Sequence, residues 1–222
     1  MIEIARRNGH ADSYTAWAEN HELRRRIYAS VPVCTTYPLT ELQALLQKYN
    51  PDVRPKPECG LHLSLVEIGN VVQVHELLTA IDPSVPVEVS RDVTGRIRGA
   101  YSAPIKGRYG VRCERLGLYG KEGRTIGVGV EVEGSLLRIR DQLLKQADII
   151  LRMFGLPQLE AVLSRDSLLK RQLPEYFQPH ISIAKNPIGA KLPFDGLFEG
   201  RELELVVGRR GSGDLADNVD YF

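Results

Sequence analysis

Two short stretches constrain this chain more than anything else in it. They are Gly60-Leu61-His62-Leu63-Ser64-Leu65-Val66 and Pro179-His180-Ile181-Ser182-Ile183-Ala184. Each contains His-x-Ser with apolar residues at the alternate positions, the pattern of a half-buried strand. Residues i and i+2 of a strand share a face, so His62 emerges with Ser64 and His180 with Ser182. Two imidazoles and two hydroxyls in one cleft supply a general base, a general acid and two hydrogen-bond donors. That set can move a phosphoryl group without a metal. One His-x-Ser in a strand is ordinarily structural; a second, in a chain with 5 histidines, points to a site.

The surrounding pattern repeats in outline. Residues 28 to 36 read as a strand, and Pro38-Leu39-Thr40 opens a helix carrying Leu42, Leu45, Leu46 and Tyr49. Asn50-Pro51 stops it, and a proline-rich loop, 51 to 59, leads to the first motif. A short helix is expected near 73 to 80, then strands at 85–89 and 96–101. Residues 109–116 and 125–132 flank the turn Tyr119-Gly120-Lys121-Glu122-Gly123 as a hairpin. Gly127 and Gly129 share a face there, leaving room for a close approach. The longest helix, about 135 to 153, follows, ended by Gly155-Leu156-Pro157. Residues 157 to 178 are charged and partly helical, and the second motif and a strand at 202–207 complete the order. Strand, helix, linker and motif strand thus occur twice, at 30–68 and 125–184, as a degenerate duplication.

The totals exclude several classes. The 222 residues make one large domain or two small lobes. A formal net charge of +1 gives no global field for coating nucleic acid or binding a membrane. Cys34, Cys59 and Cys113 show no CxxC spacing, so free thiols in a reducing cytosol are expected rather than zinc. No apolar run approaches the ~18 residues of a membrane span, and Met1 to Arg7 lacks a leader's apolar core. A cytoplasmic monomer is the expectation.

The duplicated His-x-Ser, in this order, resembles the 2H phosphoesterase superfamily. The second half is the closer match. Leu116-Gly117-Leu118-Tyr119, Ile126-Gly127-Val128-Gly129-Val130, the long helix and Phe177-Gln178-Pro179-His180-Ile181-Ser182 follow the order of the RNA-ligase-like 2′,3′-cyclic phosphodiesterase branch. The resemblance covers roughly residues 28 to 207. It implies that one of His62 and His180 is the base and the other protonates the leaving oxygen. Ser64 and Ser182 would donate to the non-bridging oxygens, with no metal or cofactor. Both hydroxyl positions are Ser where the family often has Thr, and residues 1–27 and 85–110 have no assigned counterpart.

The expected fold is therefore α+β and bilobal: two sheet-plus-helix lobes, related by an approximate twofold, around a central groove. An N-terminal helical extension over 1–27 would precede the 28–207 domain, and a flexible tail would follow over 208–222. The expected activity is metal-independent cleavage of a nucleotide phosphodiester: a 2′,3′-cyclic phosphate, a 2′-5′ linkage or a cyclic oligonucleotide. The partner would be a nucleotide or short oligonucleotide substrate. Lys185 is a candidate for neutralising phosphate, and Tyr37, Tyr119 and Phe177 for stacking on a base. Arg54, Lys56, Arg108 and Arg124 sit in loops that could reach an anion. A metal site would need a third ligand. His75 lies far along the chain, and alternation turns Glu67 away from His62. A non-catalytic nucleotide or RNA-end binder built on the same groove is the other reading.

Overall fold

A computed structural model describes residues 21–103, 105, 107–187 and 204–208. Most of the expected N-terminal helix and nearly all of the tail lie outside them. At the join, His21–Arg24 forms a single 3-10 turn. The class is α+β. Seven strands form one antiparallel sheet: β1 (Tyr28–Pro32), β2 (Arg54–Pro55), β3 (His62–Glu67), β4 (Arg108–Tyr119), β5 (Thr125–Val132), β6 (His180–Lys185) and β7 (Glu204–Gly208). The order is β1-β3-β6-β5-β4-β7, with β2 pairing the far end of β6.

The two motif strands are neighbours. Their recorded register is the single antiparallel pair Leu63↔Ile181, both side chains fully buried. That pair joins β1–β3 to the long β6–β5–β4–β7 ladder. At the opposite end of the order, Val33 bridges Val207 and the Cys34 N–H donates to the Val206 carbonyl at 2.7 Å. The sheet therefore curls until its last strand meets the chain leaving its first.

Helices cover the apolar face. In α1 (Tyr37–Tyr49), Leu39, Leu42, Gln43 and Leu46 recur at helical spacing and are buried. Asn70 caps α2 (Val71–Thr79), its side chain accepting from the Gln73 N–H at 2.9 Å. Helix α4 (Gly134–Met153) buries Leu136, Arg140, Leu143, Ala147 and Leu151, and α5 (Leu159–Leu163) follows it. The long helix and the hairpin stand where the sequence placed them.

The expected strands at 85–89 and 96–101 are instead one helix, α3 (Val87–Tyr101). Its β-branched residues suggest strands, but Ser90, Val93, Thr94, Ile97 and Tyr101 form one buried face with helical period. Packing against α2 and α4 overrides local propensity here. His75 of α2 belongs to this layer, with its Nδ1 2.9 Å from Ser90 Oγ.

Candidate active site

Antiparallel pairing centred on Leu63↔Ile181 sets His62 beside Ser182 and Ser64 beside His180 on the polar face. The two imidazoles are held alike. His62 Nδ1–H donates to the Gly60 carbonyl at 3.0 Å, and His180 Nδ1–H donates to the Gln178 carbonyl at 3.0 Å. Each bond reaches two residues back and fixes the tautomer, leaving the Nε2 lone pair for chemistry.

The strands also share an irregularity that the sequence conceals. Ala29 pairs with Val66 and Ser30 with Ser64, so Leu65 is an extra residue; Ile126 pairs with Ala184 and Gly127 with Ser182, so Ile183 is another. Each bulge follows its Ser and turns two successive residues, Leu65-Val66 and Ile183-Ala184, inward. The parity beyond it is reversed. Glu67 thus returns to the polar face opposite Tyr28, correcting the alternation argument, and its carboxylate lies 3.3 Å from Arg26 Nε. Lys185 likewise stands opposite Thr125 and Arg54.

Gln43 of α1 is buried and secures the second bulge. Its Nε2 donates to the Ile183 carbonyl at 2.6 Å and to the Lys56 carbonyl at 2.9 Å, while the Lys56 N–H donates to Ile183 at 2.8 Å. Lys56 is thereby fixed beside the site. Arg171 comes from the 3-10 turn Leu169–Gln172, whose Gln172 Oε1 accepts from the Glu67 N–H at 3.1 Å. Sequence reasoning named Lys56 only among several loop cations, and it missed Arg171 and Gln43, which lie far along the chain from the motifs they serve.

Burial and these cations act in the same direction on the two imidazoles. Burial, then the Lys56 charge, pushes the His62 pKa down to about 4; the Gly60 carbonyl opposes this and His180 adds to it. Burial also lowers His180, with the Gln178 carbonyl opposing and Lys56 and Arg171 adding. Both shifts favour the neutral imidazole in the free protein, and an incoming phosphate would meet Lys56 and Arg171.

A pH dependence of stability follows. The unfolded chain takes up a proton on His62 below about pH 6.5, whereas the folded chain resists until about pH 4. The unfolded state binds more protons in that window, so stability falls with pH from about 6.5 toward 4 and is fully present above it. The melting temperature should fall between pH 7.5 and 5, and less steeply in His62→Gln. Equal slopes for the two proteins would mean that His62 is not desolvated.

The four candidate ligand contacts have different surroundings. Tyr119 is buried, its ring stacked on His180 with centroids 3.9 Å apart and planes 8° apart. Tyr28, which sequence reasoning missed, stacks on His62 at 5.6 Å and 19°. Phe177 lies under the Arg140 guanidinium, 3.8 Å from its ring centroid. Tyr37 is 69% exposed at the start of α1, its hydroxyl donating to Glu41 at 2.8 Å. Lys185 is exposed at the end of β6. Among the described residues no three His, Cys, Asp or Glu side chains gather as a metal site, and no helix is long and apolar enough to cross a membrane.

No family model matches the chain, and no curated protein matches it. Solved structures do. TT0787 of Thermus thermophilus is 18% identical, covering 83% of this chain and 82% of that one, with a TM-score of 0.38. A protein described as a phosphoesterase is 15% identical, covering 83% of this chain and 84% of that one, with a TM-score of 0.44. Similarity at this level assigns neither protein's activity to this chain.

Proposed function

We propose that this protein is a 2H-type phosphodiesterase that opens or hydrolyses a nucleotide phosphodiester without a metal. One observation carries the reading: two histidines meet across a single strand pair, each with Nδ1–H bonded to a carbonyl and Nε2 left over. One Nε2 takes a proton from the attacking water or hydroxyl as its oxygen bonds phosphorus. The other, protonated, gives its proton to the oxygen that leaves. Each transfer contributes on the order of 10²- to 10⁴-fold. Ser64 and Ser182 donate to non-bridging oxygens, and Lys56 and Arg171 offset the phosphate charge.

The test is turnover, in excess EDTA, of 2′,3′-cyclic mononucleotides, 2′-5′ oligoadenylate and cyclic di- and trinucleotides. Chelator-resistant cleavage of one of them is expected. Cleavage abolished by EDTA and restored by a divalent cation would replace the two-histidine mechanism with a metal-assisted one. Saturable binding of a nucleotide without product would make the groove a binder.

A further inference from the structure

The floor under His180 has a construction that the phosphodiesterase chemistry alone does not require. A Cβ at Gly127 would lie 2.8 Å from Tyr119 Cδ2 and 3.2 Å from the Ile181 carbonyl oxygen. One at Gly129 would lie 2.9 Å from the Tyr119 hydroxyl, and one at Gly117 would lie 3.1 Å from Cε2. Gly117 and Gly127 are cross-strand partners, and Gly129 is the partner of His180. Three positions on two adjacent strands are thus bare where the Tyr119 ring spans them.

The imidazole against that ring is almost parallel to it. Neutral aromatic rings disfavour a face-to-face stack because their quadrupoles oppose. A cation over a tyrosine face is attracted instead. We propose that Tyr119 is a positioning residue for His180: seated on the glycine shelf, it fixes the imidazole plane and favours its protonated form, making His180 the proton donor of the pair. The Gln178 carbonyl fixes rotation about the ring and Tyr119 fixes its plane, so the two restraints aim Nε2. His62 has a looser partner in Tyr28, and its burial beside Lys56 suits the proton acceptor.

The charged groups around His180 are Lys56 after β2, His62 on β3 and Arg171 in the 3-10 turn. On β4, Arg115 hydrogen-bonds the Tyr119 hydroxyl and Glu114 lies nearby. The cations oppose protonation of His180. Tyr119 acts against them, as a bound phosphate would.

The proposal rests on the phosphodiesterase reading only for the use made of the proton, so its test needs no substrate. The imidazole resonances of His180 are titrated by NMR in wild type, Tyr119→Phe and Tyr119→Leu. The ring-current shift should persist in the Phe variant and vanish in the Leu variant. The His180 midpoint should fall by roughly one pH unit in the Leu variant alone, a cation–ring contact of ordinary strength, with His62 moving far less and only upward, through its coupling to His180. If Tyr119→Leu does not fold, Gly127→Ala replaces it, because the new methyl displaces the ring while leaving it present. An unchanged His180 signature in the Leu variant, or equal losses in Phe and Leu, overturns the proposal. With a cleaved substrate, Tyr119→Leu should lower kcat about tenfold, the same unit expressed as rate, with KM nearly constant. The expected NMR result without turnover of any nucleotide by wild type would retain the hold on His180 and remove the phosphodiesterase reading.

Discussion

His62→Ala and His180→Ala should each lower turnover of the cleaved phosphodiester by about 10²- to 10⁴-fold while leaving the fold intact. Both side chains are half-buried on the polar face, and the buried strand contacts come from Leu63 and Ile181. Truncation therefore removes a proton carrier without opening the core. The double variant should lose little more than the worse single one, because in the proposed mechanism the base and the acid serve the same step. Steady-state kinetics of the three variants, beside thermal melts, provide the check. Retention of kcat within about threefold in either single variant, far short of a lost acid or base, would remove that histidine from the mechanism. Multiplicative losses would argue that the two act in separate steps.

Arg140→Ala should be the most destabilising change at a charged position. The side chain is 2% exposed, its Nη2–H donates to the Gln172 carbonyl, and its guanidinium covers Phe177. Removing it leaves a carbonyl without its donor, an uncovered aromatic face and a cavity, together worth about 3 kcal/mol. For a chain of this size that is a fall in melting temperature of roughly 10 °C. Arg140→Met keeps the packed stem and should lose less, since replacing a buried charge by an apolar group of similar shape relieves its desolvation. Because Gln172 also accepts from the Glu67 N–H, loosening this turn should weaken the hold on neighbouring Arg171 and raise KM for an anionic substrate. Equal melting temperatures for wild type and Arg140→Ala would contradict this account.

Much of this arrangement is legible in the sequence because it is local. Alternation around each His-x-Ser identifies β3 and β6, paired turn glycines identify the β4–β5 hairpin, and a long apolar stripe identifies α4. What is not legible depends on tertiary packing. Residues 87–101 have strand-like composition, yet a buried helical face decides their structure. The bulges at Leu65 and Ile183 have no signature of their own in an apolar run, so strict alternation misplaces Glu67. Arg171 and Gln43 reach the site only because the sheet brings them there. Gly127 and Gly129 do announce a close approach, but only the folded chain shows that Tyr119 fills the space.

The curled sheet closes through two contacts one residue pair wide, Leu63–Ile181 and Val33–Val207, with long ladders between them. A ring built this way is mechanically uneven. The β4–β5 ladder behaves as a plate, and bending concentrates where the fewest hydrogen bonds must strain. The two motif histidines flank one of these joints, so a ligand that draws His62 and His180 together loads the joint on the far side as well. Amide exchange at Cys34, whose N–H is bonded across that seam, becomes a remote gauge of whether the groove is occupied.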